Sequence, residues 1–456
     1  MHSLNLNISG LPKSATLAIN DRSKELQRIG RKIYKFGLGQ SPFPIPDTVC
    51  RKLQENAYQK DYLPVEGLPE LRKAVAEYQS RKNDQCTYTA DQVLIGPGSK
   101  ELMFLIQLVY YGDLVIPIPS WVSYAPQAQI IGRHVRWLPT YGEHNWMLSA
   151  ETLEKHCRND PNRPRLVILN YPSNPTGTSF SDEQLQSIAN VARKYQVVIL
   201  SDEIYGELHH DGTHKSISSY YPEGTIISHG LSKWCGAGGW RLGAFVFPET
   251  HTRLMDGMAV AASETFTSTS APIQYAAVAA YRENPEIEKY LQKVRHILKM
   301  LRTHLSRMLE SVGIKVPRAE GGFYLFPDFS PFSKQLAKRS VINSNDLCEY
   351  LLERTGLACL PGSVFGCPAS VLALRLAYVD FDGVKAMQLY DKFHNDGRLS
   401  APVSNNVIMG KTPCRDNETV VDSSDELLTK EEAFLNEACP NVMEGVRCLV
   451  DEVNLW

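Results

Sequence analysis

The stretch Leu231–Gly243, "LSKWCGAGGWRLG", sets one lysine between an apolar run and a glycine-dense loop, with Arg241 eight positions beyond Lys233. Lysines ordinarily cover surfaces, whereas this one stands where side chains of a different kind gather. Four other apolar runs end in the same way: "GPGSK" (Gly96–Lys100), "IPSW" (Ile118–Trp121), "YPSNPTG" (Tyr171–Gly177) and "SDEIY" (Ser201–Tyr205). In α/β folds functional groups collect at the carboxyl ends of parallel strands. One rim would then carry Gly98 with Ser99, Trp121, Asn174, Asp202 with Tyr205, and Lys233.

Those residue types match the needs of an aromatic, phosphorylated aldehyde. An amine walled in by apolar groups has a lowered pKa and becomes a Schiff-base nucleophile. A carboxylate at a ring nitrogen keeps it protonated, which makes the ring an electron sink. An indole stacks flat on such a ring. A glycine loop opening a helix offers backbone N–H groups to a phosphate, and an arginine completes the cradle.

Positioning these groups needs a sheet buried on both faces. Seven short apolar runs begin at Val93, Leu114, Val135, Leu166, Val197, Thr225 and Ala244. They are continuous rather than alternating, and helical patterns at 100–110 and 182–195 separate some of them. That texture predicts a mostly parallel seven-stranded sheet flanked by helices. Earlier in the chain, apolar spacing over 14–30 and the proline-led "PELRKAVAEYQS" (Pro69–Ser80) predict helices. Later come a long helix over 286–311, "GGFYLFPDF" from Gly321, a helix over 345–355 and the strand-like "LALRLAYVD" from Leu372.

The expected architecture is α/β: a large cofactor-binding domain over 49–310, and a smaller α+β domain formed by both termini, 1–48 and 311–456. Residues 395–425 are polar and aperiodic and read as a mobile insertion, since helical spacing resumes through Val442, Val446, Leu449 and Val453.

The bulk properties narrow the classes. A chain of 456 residues with 43% hydrophobic and 21% charged residues has the make-up of a soluble globular protein of two or three domains. A net charge of −2, spread along the chain, gives no footprint for nucleic acid or a membrane surface. The longest apolar run, Leu102–Pro119, is broken by Gln107, Gly112 and Asp113, and the first ten residues lack the layout of a secretory signal. Ten cysteines without a C-x-x-C pair argue against zinc and a disulfide framework, and for a reducing, cytoplasmic setting. His209 and His210 read as solvated surface rather than metal ligands; no metal is expected.

The quoted motifs resemble the class I/II pyridoxal-phosphate-dependent aminotransferases of fold type I, of the aspartate aminotransferase kind, over nearly the whole chain outside 395–425. The resemblance implies pyridoxal 5′-phosphate as cofactor. It implies Lys233 as the Schiff-base lysine that also shuttles the substrate proton, and Arg241 as a phosphate ligand. It implies Asp202 at the pyridine nitrogen, Tyr205 and Asn174 on the ring oxygen, and Trp121 stacked on the ring. Gly98, Ser99 and Lys100 fall in the phosphate loop, and Tyr62 in "DYLPVEGLPELR" matches a tyrosine that reaches the partner subunit's phosphate. Arg375 in "LRLAYV" matches the arginine that grips the substrate carboxylate, with Gly39 beside it; Trp121 and Asn174 also border the substrate. Lys100 matches a lysine that approaches the distal acid of dicarboxylic substrates in some members. Gly230 stands where a phosphate-binding serine is frequent, a departure that bears on phosphate affinity.

Taken singly, Asp202 reads as a helix cap, Asn174 as a turn residue and Arg375 as half of an ion pair; in register together they read as a site. The implied protein is a homodimer that moves the amino group of an L-amino acid, dicarboxylic or aromatic or neutral, to a 2-oxo acid such as 2-oxoglutarate by ping-pong kinetics. The alternative is a lyase or decarboxylase using the same lysine and aspartate, because cofactor electronics are shared and the broken bond depends on orientation.

Overall fold

A computed structural model describes residues 5–11, 15–83, 85–399 and 423–456. The seven apolar runs form one sheet: β1 (Val93–Gly96), β2 (Asp113–Pro117), β3 (Val135–Leu138), β4 (Arg165–Asn170), β5 (Val198–Asp202), β6 (Thr225–Gly230) and β7 (Gly243–Val246). Their order is β1-β7-β6-β5-β4-β2-β3. Every pairing is parallel except those of β7, which runs antiparallel to β1 and β6. The antiparallel exception follows from the short link between β6 and β7, which leaves no room for a crossover helix.

Successive residues of one strand feed opposite faces. Leu166 and Ile168 pack with Leu102, Met103 and Ile106 of helix Ser99–Val109. Val167 and Leu169 pack with Leu185, Ile188 and Ala189 of helix Asp182–Lys194. Burial on both faces is why the strands are apolar without alternation. Each fully buried Leu or Ile contributes about 1.5–3 kcal/mol relative to an exposed one. The outermost strand, β3, is the exception, exposing Arg136 and Trp137, a charge at an open sheet edge that discourages pairing with other chains.

Helix starts and stops follow local chemistry. Ser181 and Gln184 form a reciprocal capping box at helix Asp182–Lys194. Helix Ser344–Thr355 ends on Gly356 at φ 75°, a left-handed position suited to glycine.

Beyond helix Pro285–Ser311, strands Tyr324–Leu325, Leu360–Pro361 and Leu374–Ala377 make a small antiparallel sheet with Leu374–Ala377 in the middle. Tyr34–Lys35 pairs parallel to Leu357–Ala358, which joins the N-terminal segment to the C-terminal one. The smaller α+β part is therefore built from both ends of the chain.

One expectation needs revision, and another lies almost wholly outside the described residues. Helix Gly383–Asn395 and helix Ser423–Ala438 occupy the margins of the expected 395–425 insertion; the rest of that expectation lies outside the described residues. His209 and His210 are not solvated: both are buried. His210 Nε2 lies 3.0 Å from the Gly322 carbonyl, and burial holds its pKa down at about 3. The small-sheet segment covers the polar turn, a tertiary contact that local composition does not announce.

Among the described residues, no helix is long and apolar enough to cross a membrane. The nine described cysteines are free thiols.

Candidate active site

The parallel register brings Asn170, Asp202 and Ser228 side by side at the carboxyl ends of β4, β5 and β6. Asp202 is buried and accepts hydrogen bonds from the hydroxyls of Tyr124 and Ser228, the latter at 3.2 Å. Burial pushes its pKa up to about 6, against the pull of these donors. Its side-chain partners are hydroxyls rather than cations, so the carboxylate has room for a protonated ring nitrogen. Asn170 ties the next rim element in place. Its Nδ2 donates to the Asp202 carbonyl at 2.9 Å, and its Oδ1 accepts from the Asn174 backbone N–H at 2.7 Å.

Lys233 lies just past β6, half-buried, and its Nζ donates to the Gly39 carbonyl at 2.8 Å. Burial lowers its pKa to about 8; the charges of Arg375 and Arg241 lower it further, while Asp202 opposes them. An amine so placed spends a useful fraction of time unprotonated near neutral pH. Its ammonium sits 5.6 Å from the Tyr205 ring centre and 5.8 Å from that of Phe323.

Arg375 reaches the same space from the small sheet. The side chain is buried; Nη1 donates to Asn174 Oδ1 at 3.0 Å and Nη2 to the Gly37 carbonyl. Its guanidinium is layered between the rings of Tyr324 (4.7 Å) and Phe365 (5.1 Å). Its Nε is buried without a hydrogen-bond partner, an unspent donor next to two already oriented ones. A buried guanidinium with no carboxylate partner among the described residues is suited to an incoming carboxylate.

The phosphate cradle is legible in the glycines. Gly98 has φ 90° and precedes the N-terminus of helix Ser99–Val109. A β-carbon on Gly98 would overlap the Arg241 guanidinium, and one on Gly243 would overlap the Ser99 backbone nitrogen. The loop, the helix start and Arg241 thus close on one another only because both positions lack side chains. Trp121 packs edge-on against Tyr124 (centres 5.2 Å apart, 82°), and Lys100 Nζ stands 5.0 Å over the Trp121 ring. These features fit pyridoxal phosphate: a helix start with an arginine for the phosphate, a buried carboxylate, a flat indole and a lysine of low pKa.

The rim therefore gathers Gly39, Gly98, Ser99, Lys100, Trp121, Asn174, Asp202, Tyr205, Lys233, Arg241 and Arg375. Tyr62 is apart from it: it is 89% exposed, so it forms no part of this chain's own buried cluster. Gly230 admits no side chain, since a β-carbon there would lie 2.9 Å from the Leu242 carbonyl. Four side chains at the site escaped sequence reasoning: Asn170, Tyr124, Ser228 and Tyr324. Asn170 and Ser228 are polar residues ending or interrupting apolar runs. Tyr124 lies one helical turn after Trp121, and that spacing could have flagged it. Tyr324, whose hydroxyl meets that of Tyr205 at 2.8 Å, gave no sequence signal, being 119 positions away.

Comparison with known proteins agrees with this geometry. The family model described as aminotransferase class I and II matches residues 31–382. An aspartate aminotransferase of Bacillus sp. (strain YM-2) is 32% identical over 380 residues, 81% of this chain and 93% of that protein. A probable aspartate/prephenate aminotransferase of Aquifex aeolicus is 31% identical over 383 residues, 81% of this chain and 93% of its own length. The structure of Thermus thermophilus aspartate aminotransferase with maleate superposes with a TM-score of 0.75 at 28% identity, covering 86% of this chain and all of that one. The chain belongs to the class I and II aminotransferases.

Proposed function

We propose that this aminotransferase transfers the amino group of an L-amino acid, aspartate being the first to try, to 2-oxoglutarate, with Lys233 as both the anchor of pyridoxal phosphate and the proton carrier. The observation that carries the reading is the convergence of three groups: a lysine of lowered pKa, a buried carboxylate hydrogen-bonded by hydroxyls, and a buried guanidinium with no carboxylate partner among the described residues. Pyridoxal phosphate, when bound, supplies an aldehyde for amines and a protonated ring that draws electrons from the substrate α-carbon.

The chain's residues have distinct tasks. The backbone of Gly98–Lys100 and the Arg241 guanidinium hold the phosphate. Trp121 would cover one face of the ring, and Asp202 would keep the ring nitrogen protonated. Tyr205 and Asn174 donate to the ring oxygen. Arg375 would take the substrate α-carboxylate in a two-point contact and so fix the orientation of the α-carbon. Lys233 would hold the cofactor through its side-chain nitrogen and, with that nitrogen free, would carry the substrate α-proton as general base and then general acid. Apolar walls from Phe323, Phe365 and Trp121 keep water from competing.

Lys100, held over the Trp121 ring at the rim, would suit the distal acid of a dicarboxylate; the names of the relatives from Bacillus and Aquifex support the same choice. The reading includes a homodimer, in which exposed Tyr62 is lent to the neighbouring site, and a cytoplasmic location. It also includes a large domain over 49–310, with 1–48 and 311–456 forming the small one.

A visible spectrum of the purified holoprotein tests the core of this reading. Aspartate or glutamate should abolish the band of the lysine-linked cofactor, and a 2-oxo acid alone should restore it. Amino acid consumption that never leaves the cofactor aminated would instead make the protein a lyase or decarboxylase.

A further inference from the structure

The hydroxyls of Tyr205 and Tyr324 meet at 2.8 Å in the buried centre of the site. Tyr324 belongs to the small sheet and Tyr205 to the rim of the large one, so the contact crosses between the two parts of the fold. Three further contacts converge on Tyr324. Its ring carries the Arg375 guanidinium at 4.7 Å. It stacks edge-on with the Tyr205 ring, centres 5.5 Å apart at 78°. Its hydroxyl lies so close to Gly39 that a β-carbon there would overlap it, and Gly39 is the residue whose carbonyl holds the Lys233 amine. One phenol therefore touches the neighbours of the lysine, the carboxylate arginine and the tyrosine assigned to the cofactor.

We propose that Tyr324 is a positioning residue that donates its proton to Tyr205, so that Tyr205 turns its own proton toward the ring oxygen of the cofactor. The inference rests on the reading of Lys233 and Tyr205 given above and deepens it. A phenol has one proton. If Tyr205 gave that proton to Tyr324, it would face the cofactor as an acceptor, opposite an oxygen that is itself an acceptor. With Tyr324 donating, every oxygen in the chain is satisfied, and a hydroxyl that accepts a hydrogen bond becomes a stronger donor. Burial pushes the pKa of both phenols up, so both stay neutral and able to donate.

The consequence is a shift in proton affinity at the nitrogen of Lys233 when it holds the cofactor. The ring oxygen and that nitrogen attract the same proton. A strong donor on the oxygen spreads its negative charge, weakens its hold on the neighbouring proton and lets the nitrogen deprotonate at lower pH. Losing Tyr324's hydroxyl weakens the donor and raises that pKa.

The test is a spectrophotometric pH titration of the bound cofactor in the full-length holoprotein, for the wild type, Tyr324→Phe, Tyr205→Phe and the double variant. The phenylalanine variants remove only a hydroxyl and keep the rings that pack the site. In Tyr324→Phe the midpoint should rise by about half a unit. Tyr205→Phe should raise it at least as far, and the double variant should match Tyr205→Phe, because Tyr324 acts through Tyr205. A wild-type midpoint in Tyr324→Phe, or shifts that add in the double variant, overturns the proposal while leaving Lys233's role intact. A wild type that forms no lysine-linked band overturns the reading of Lys233 and this proposal with it.

Discussion

Arg375 Nη1 and Asn174 Oδ1 meet at 3.0 Å, joining the central strand of the small sheet to the turn that follows β4. The bond orients a buried guanidinium whose Nε has no partner. Arg375→Lys keeps a positive charge but loses the planar two-point fork. Steady-state kinetics should show kcat/KM for amino acids falling about a hundredfold, with the bound cofactor's spectrum unchanged. A variant that binds amino acids normally would show that the carboxylate lies elsewhere.

Lys233 has a pKa lowered to about 8, chiefly by burial. Capture of pyridoxal phosphate by the apoprotein needs the free amine. Its rate should therefore climb with pH to a midpoint near about 8, well below that of an ordinary lysine. Lys233→Ala should leave no reducible adduct in mass spectrometry of the borohydride-treated protein. A midpoint above 10 would show that the amine is solvated in solution.

Asp202 has its pKa raised from 3.8 to about 6 by burial. A carboxyl with a raised folded-state value binds its proton more tightly when folded, so its contribution is fully present below about pH 4 and is lost as pH rises through 6. Asp202→Asn has no charge to bury. In urea unfolding of the apoproteins, the variant should gain on the wild type by about 1–3 kcal/mol between pH 4 and pH 8. The same substitution should weaken cofactor binding, because the ring nitrogen loses its counter-charge. A pH-independent difference between the two apoproteins would refute the burial argument.

Gly230 sits in β6, three positions before Lys233, and a β-carbon there would press on the Leu242 carbonyl at 2.9 Å and on Ile204 Cδ1 at 3.2 Å. Gly230→Ser should therefore destabilise the fold by about 1–3 kcal/mol, lowering Tm, without tightening the phosphate site. Gly98 and Arg241 already close on one another in the cradle. Tighter cofactor binding with an unchanged Tm would show that the backbone yields to the added side chain.

Much of this protein was determined by local sequence. The seven strands were visible because both of their faces are buried, which forces unbroken apolar runs, and the polar residue after each run marks the rim. Lys233, Asp202, Asn174 and Gly98 were visible for that reason. Tertiary structure alone decided what these groups touch. Tyr324 joins the site because an antiparallel pairing in the small sheet sets it against Arg375 and Tyr205, and no local pattern encodes a contact across 119 positions. His209 and His210 look like a polar turn until the segment around Gly322 covers them. Composition and periodicity report which side chains want burial and at what spacing; which distant neighbour buries them depends on how the two parts of the chain pack.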